Sequence, residues 1–169
     1  GLPDPPPEPH FVPITVRFPG SDQIFNAGMG SVAVPGVLAG LVHIHSRLGR
    51  RLLADVVEAA TRLAADGVVL NEWQASVVGL LEPIVRMTPA GADLYAPGGR
   101  LLGAGDRLVS GGMAAFLESV ATGGAERFYG GDIAERIAAD MASGFGMLTA
   151  EDLAAYRVIE REPLAVEYR

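Results

Sequence analysis

Residues 30–67 read GSVAVPGVLAGLVHIHSRLGRRLLADVVEAATRLAADG, and this stretch decides the fold. An apolar lead-in, Ser31 to Val34, runs into Pro35-Gly36, where a helix begins. Proline suits a first helical turn because its missing N–H has no intrahelical partner there. Val37, Leu38, Leu41, Val42, Ile44 and Leu48 recur at spacings of three and four, the pattern of one buried helical face. Gly49 closes this helix. A second starts near Leu52 and carries Leu53, Val56, Val57, Ala60, Leu63 and Ala64 on one side. Gly67 ends it, as a residue that takes positive φ without steric cost. The expected product is an antiparallel helical hairpin against which other elements pack.

Upstream, Gly1 to His10 is Pro-rich and acidic, an extended arm rather than a packed element. Phe11 to Phe18 alternates from Ile14 on and reads as a short edge strand, since Pro13 cannot donate to a ladder. Pro19-Gly20-Ser21-Asp22 is a turn, and Ile24 to Gly30 reads as irregular.

Downstream, Asn71 and Gln74 have the spacing of a capping box, opening a helix that carries Trp73, Val77, Val78, Leu81 and Ile84 and that Pro83 kinks or ends. Around the turn Pro97-Gly98-Gly99, Leu94-Tyr95 and Arg100 to Leu102 read as short extended pieces. Ser110 is expected to cap a helix over Met113 to Ala121, with Met113, Phe116, Leu117 and Val120 inward. Gly123-Gly124 ends it, and Ala125 to Tyr129 forms a turn. Asp132, with Glu135 three residues on, is expected to cap a helix with Ile133, Ile137, Ala138 and Met141 inside. Thr149 to Asp152 opens a last short helix through Tyr156. Pro163 to Arg169 alternates as a half-buried strand, which needs a partner strand and so implies chain beyond Arg169. The fold class is mainly α with short strands.

With 169 residues and 49% hydrophobic content, the chain can bury a core. Its formal charge is −7, and all 13 basic residues are arginine, scattered without a basic stripe. Nucleic acid is therefore a poor partner. The absence of cysteine removes disulfides, thiolate catalysis and Cys-ligated metals. No apolar run reaches the roughly 20 residues of a membrane span. Gly1 to His10 has no basic n-region or apolar h-region of a signal peptide, and the compartment stays open.

A nucleophile and base are hard to assemble. His43 and His45 lie two apart on a helix and diverge, so they are no metal pair; one faces solvent and one borders the core. Gly28-Met29-Gly30-Ser31-Val32-Ala33 fits a loose dinucleotide fingerprint, but no helix opens directly behind it, and its glycines read as a tight turn. Asp132, Glu135, Glu151 and Asp152 sit at helix N-termini, where the backbone dipole favours them. Glu58 and Arg62 read as a surface pair, Glu160-Arg161-Glu162 as a solvated link, and Arg17 as solvent-facing. Trp73, Phe128 and Tyr129 read as core anchors. No catalytic, substrate-binding or metal-ligating residue emerges, and nothing calls for a cofactor.

Three stretches nonetheless share a pattern: Ser31 to Leu41 (SVAVPGVLAGL), Phe128 to Ala134 (FYGGDIA), and Leu148 to Tyr156 (LTAEDLAAY) followed by Glu162-Pro163-Leu164 and Tyr168-Arg169. Together with Ala64 to Gly67 and Gly105 to Leu108, in this order, they resemble the large subunit of γ-glutamyltransferases, or glutathione hydrolases. The resemblance covers residues 30–169, the helical part of that subunit and an incomplete domain; residues 1–29, the Pro-rich arm and short strand, match poorly.

The resemblance implies an αββα sandwich of the N-terminal-nucleophile hydrolase type, made as a precursor that cuts itself into two subunits. The Thr opening the small subunit attacks a γ-glutamyl amide, with its own amino group as base. The large-subunit Arg that grips the substrate carboxylate belongs to an Arg-Glu-x-Ala-Pro motif. That motif is absent here, and Arg17 in Val-Arg-Phe-Pro does not match it. The implied role is scaffold, with the remainder of the same precursor as partner and a γ-glutamyl compound as substrate. Relatives that act as β-lactam side-chain acylases, or a non-catalytic helical interaction module, are the alternatives.

Overall fold

The computed structural model describes residues 11–168; the Pro-rich arm, His10 and Arg169 lie outside them. Strands β1 (Val12–Phe18) and β2 (Ser21–Ala27) form an antiparallel hairpin, Phe18 opposite Ser21 and Ile14 opposite Phe25. Pro19-Gly20 is the whole loop, and Gly20 takes φ 91°. Two strands alone are both edges, so Pro13 is accommodated as its chemistry requires. The expectation of irregular chain from Ile24 is corrected for Ile24 to Ala27. Asp22, Gln23 and Asn26 are poor strand formers, and cross-strand pairing with β1 overrides them.

Helices α1 (Val37–Leu48) and α2 (Leu53–Asp66) fall where the periodicity put them. Gly67 ends α2 at φ 80° and leads into β3 (Val68–Val69), which pairs with β4 (Arg107–Leu108). Between them lie α3 (Glu72–Leu80), α4 (Glu82–Val85) and α5 (Pro89–Tyr95). Both capping-box bonds of Asn71 and Gln74 form, at 2.8 and 3.0 Å, and the helix breaks ahead of Pro83. Leu94-Tyr95 is helical rather than extended, because the Thr88 hydroxyl accepts from the Gly91 N–H and starts a helix at Pro89.

Next come α6 (Gly111–Gly123), α7 (Glu126–Gly130), α8 (Asp132–Ser143) and α9 (Ala150–Ala155). The Ser110 hydroxyl makes no capping bond to α6, and Met113 on that helix is half exposed. Gly131, not Asp132, occupies the cap position of α8; Asp132 is its first residue. The Thr149–Asp152 capping box on α9 is complete.

The core sits at α8 and α9. Ala134, Met141, Leu148 and the fully buried Leu153 form it, with Met29, Val34, Phe128, Tyr129 and Ile137 packed against them. The expected helical hairpin is corrected: α2 packs along α6, and neither α1 nor α2 has a buried residue. Val37 and Leu48 of the anticipated buried face are 75% and 76% exposed. Trp73, read as a core anchor, is 73% exposed. Pro163 to Tyr168 is not a strand: Leu164 is 99% exposed and no described residue pairs with this stretch. Alternation alone makes no strand where backbone N–H and C=O groups lack a partner.

Candidate functional site

Helix α1 starts without a conventional cap. Gly36 holds the cap position and has no side chain to offer the first-turn N–H groups. The Tyr129 hydroxyl does that work from 90 residues away, accepting from the Ala39 N–H at 3.1 Å. The same hydroxyl donates to the Pro35 carbonyl at 2.5 Å. Tyr129 is held in turn by Tyr156, whose ring stacks on it at 5.7 Å and 14°, and by the edge of Phe128 at 5.0 Å. Phe116 continues the aromatic row at 5.7 Å from Phe128. Gly36 lacks a side chain for a reason of space: a Cβ there would meet the Tyr156 hydroxyl at 2.1 Å. Thus Pro35-Gly36, Phe128-Tyr129 and Tyr156, one from each stretch carrying the resemblance, meet at one point.

The two remaining stretches meet at another. The Leu70 N–H donates to the Asp106 carbonyl at 2.8 Å, and the Ser110 N–H to that of Ala64 at 2.9 Å. Arg107 donates to the Gly67 carbonyl at 2.7 Å. Gly67 has neither φ nor room for a side chain: a Cβ would lie 2.6 Å from Val109 and 2.7 Å from Arg107. Asp106 accepts two bonds from Arg100, at 2.7 and 2.9 Å, and one from the Gly103 N–H at 2.7 Å. The Arg100 hydrogen bonds, then the Gly103 amide, bring its carboxyl down to about 2.

A cleft of about 540 Å³ opens between α6 and α8, lined in part by Phe116, Ser119, Ile133, Ile137, Arg136 and Asp140. The Arg127–Asp132 pair borders it, joined by two bonds at 2.8 and 2.6 Å. Arg127 holds the Asp132 carboxyl below the usual carboxylate range, and Arg136 adds to this more weakly. This ion pair, rather than a cap, is what Asp132 contributes.

The hydroxyls of Ser46, Ser76, Ser119, Ser143 and Thr61 all donate to carbonyls of their own helices. The histidines are engaged elsewhere. His43 Nε2 donates to Glu160 at 2.9 Å, and His45 Nε2 to the Arg51 carbonyl at 3.0 Å. Both are half-buried. Glu160 is no free link residue: it also pairs with Arg47, and Arg47, then His43, lowers its carboxyl. Glu58 and Arg62 line a shallow hollow beside α6 without pairing; the i, i+4 ion pair that forms is Glu82–Arg86 at 2.9 Å. Arg17 is exposed, and Gly28 makes a tight turn at φ 101°.

Among the described residues no charged or polar residue is buried, and no group of three His, Asp or Glu could hold a metal ion. No described helix is long and apolar enough to cross a membrane. What the geometry supplies is two close-packed junctions, not a desolvated acid–base pair. The sequence missed both because each is made by contact between stretches far apart in the chain. The available signal was the aromatic pair Phe128-Tyr129, whose hydroxyl needs a partner when packed inside.

The family whose pattern matches residues 14–169 is described as Gamma-glutamyltranspeptidase, and the match takes in the β1–β2 hairpin from Ile14 on. The chain is 34% identical over 152 residues to the glutathione hydrolase proenzyme of Escherichia coli strain K12, covering 89% of this chain and 26% of that protein. The crystal structure of Helicobacter pylori gamma-glutamyltranspeptidase superposes with TM-score 0.80 at 31% identity, over 84% of this chain and 41% of that one. Cephalosporin acylase from Bacillus halodurans superposes with TM-score 0.73, also at 31% identity, over 82% of this chain and 27% of that one. The chain thus spans about a quarter of the length of curated relatives such as the Escherichia coli protein. Mainly helical with short strands, it is a segment of the αββα N-terminal-nucleophile fold. The residues at the two junctions, and the comparisons that span them, lead to one conclusion: this chain belongs to the gamma-glutamyltranspeptidase family.

Proposed function

We propose that these residues are scaffold within a self-processing hydrolase that transfers the γ-glutamyl group of glutathione or similar amides to water or to amino acids. In this reading a Thr outside the chain opens the small subunit once the precursor cuts itself. Its hydroxyl oxygen attacks the amide carbonyl, and its own α-amino group takes the proton. Backbone donors hold the oxyanion, the amine leaves, and water or an amino acid releases the γ-glutamyl ester. In this reading the chain furnishes neither nucleophile nor substrate clamp. Their task is to fix α1, α7 and α9 against one another through Tyr129. Nucleic acid has no part in it, and no cofactor is needed.

The observation that carries this reading is the 34% identity, over nearly the whole chain, to a glutathione hydrolase proenzyme. The test uses the full-length protein. It is expected to split into two subunits and to hydrolyse a chromogenic γ-glutamyl anilide, and Ala in place of the new N-terminal Thr abolishes turnover. An uncleaved protein that leaves the anilide untouched would refute the reading and favour a non-catalytic helical module. A second reading, a β-lactam side-chain acylase, is favoured by the match to a cephalosporin acylase at the same identity as to the gamma-glutamyltranspeptidase structure. Release of a cephalosporin side chain, with no γ-glutamyl turnover, would select it.

A further inference from the structure

The cleft of about 540 Å³ between α6 and α8 combines an apolar floor with a charged rim. Its volume falls in the range of about 300–1,000 Å³ typical of small-molecule sites. Phe116 from α6 lines it, with Ile133 and Ile137, which lie one turn apart on α8. The rim carries both signs of charge. Asp132, Arg136 and Asp140 follow at intervals of four along α8, so they share a face.

Only part of that rim is satisfied within the chain. Asp132 is taken by Arg127 through two bonds at 2.8 and 2.6 Å. Arg136 and Asp140 have the spacing of a helical ion pair, yet their side chains pair neither with each other nor with any other described residue. A guanidinium and a carboxylate thus stand about one turn apart on the edge of an apolar floor. The Ser119 hydroxyl, which also lines the cleft, donates to the Phe116 carbonyl at 2.7 Å and keeps acceptor capacity.

Charge selects the ligand. A plain anion meets Arg136 but lies between the carboxylates of Asp132 and Asp140. A plain cation meets Asp140 but lies beside Arg136. A small zwitterion satisfies both free groups at once. An apolar substituent on it covers the floor and gains by leaving water. We propose that this cleft binds a free α-amino acid with an aromatic or branched apolar side chain. Its carboxylate lies on Arg136, its ammonium on Asp140, and its side chain against Phe116, Ile133 and Ile137. Arg136 and Asp140 are exposed, so solvent weakens both contacts and Kd is expected to be on the order of 1 mM. Occupancy then follows the free amino-acid concentration. No reacting group enters this inference, and it stands apart from the γ-glutamyl chemistry.

The test titrates the full-length protein with L-phenylalanine and reads binding by calorimetry and ligand-observed NMR. Arg136→Gln and Asp140→Asn are each expected to weaken binding at least about fivefold. 3-Phenylpropanoate, which lacks the ammonium, should respond to Arg136→Gln and ignore Asp140→Asn. Phenethylamine, which lacks the carboxylate, should do the reverse. Glycine keeps both charges and should bind at least about tenfold more weakly than phenylalanine. Binding untouched by both substitutions belongs to another site and overturns the inference. So does the absence of saturation up to about 20 mM. Should the variants misfold, a diazirine analogue of leucine is irradiated with the unaltered protein. Labels within residues 112–140 that excess phenylalanine suppresses support the site, and labels confined to other peptides refute it. Hydrolysis of the γ-glutamyl anilide is followed in the same samples. Phenylalanine bound in this cleft by a protein without turnover defeats the functional reading alone; an active enzyme whose cleft takes no ligand defeats this inference alone.

Discussion

Helix α8 and helix α1 are each 12 residues long, and each carries apolar residues at helical spacing. On α8 the pattern is honoured: Ala134 and Met141 are buried beneath Leu153 of α9. On α1 the same pattern points outward, and Leu41 and Ile44 are more exposed than covered. Periodicity names the face that water disfavours. It does not name what shelters that face. α8 finds its cover within the next dozen residues, whereas Val37, Leu41, Ile44 and Leu48 of α1 have little among the described residues. The long-range hydrogen bonds of α1 run to Tyr129 at the start and to Glu160 further along.

The sharpest way to break this contrast is truncation on both sides of it. Leu153→Ala empties a fully buried position and is expected to cost about 2–5 kcal/mol in denaturant unfolding of the full-length protein. Ile44→Ala is expected to cost at least about 2 kcal/mol in the same assay if, in the full-length protein, this face lies on a sheet as a helix layer of an αββα fold does. A loss below about 0.5 kcal/mol at Ile44 would show that α1 is a true surface helix. Gly36→Ala places a methyl group into the Tyr156 ring and is expected to cost about 1–3 kcal/mol by overpacking. The same substitution combined with Tyr156→Ala should recover part of that loss.

Smaller effects separate the two ends of α1. Tyr129→Phe removes the remote cap and leaves the Pro35 carbonyl and Ala39 N–H without their partner. The expected loss is about 1–2 kcal/mol, comparable to removal of an ordinary cap such as Thr149→Ala. At the other end the signature is acid sensitivity. Glu160 is held below the usual glutamate range by Arg47 and His43, so its contribution is complete above its ordinary value of 4.5 and fades as pH falls through its lowered one. Asp106, away from α1, behaves alike: its contribution is complete above 3.8 and is lost as pH falls through about 2. Carboxyl NMR should place the Asp106 midpoint near 2 and return it toward 3.8 in Arg100→Gln.

Much of the local structure was legible. Asn71 with Gln74 and Thr149 with Asp152 announce their helices because a cap is a contact three residues long, wholly contained in the sequence. Pro83 breaks its helix where its ring and missing N–H demand. The errors cluster where a partner lies far off. β2 is a strand because β1 pairs with it; Asp132 is a salt-bridge acid because Arg127 stands opposite; Trp73 is exposed although its size argues for burial. Of the junctions, the sequence held every participant and none of the meeting points.

From the sequence alone came helices α1, α2, α3, α6, α8 and α9, the capping boxes of α3 and α9, the absence of cysteine and lysine chemistry, and the ordered stretches that mark the family. These are properties of residues a few positions apart, set by backbone geometry and side-chain type. Only the tertiary structure decided that Tyr129 caps α1 from 90 residues away, that Gly36 is bare to admit Tyr156, and that Val37, Leu41, Ile44 and Leu48 of α1 stay exposed among the described residues. Those outcomes depend on which surfaces meet in space, and local periodicity carries no information about the meeting.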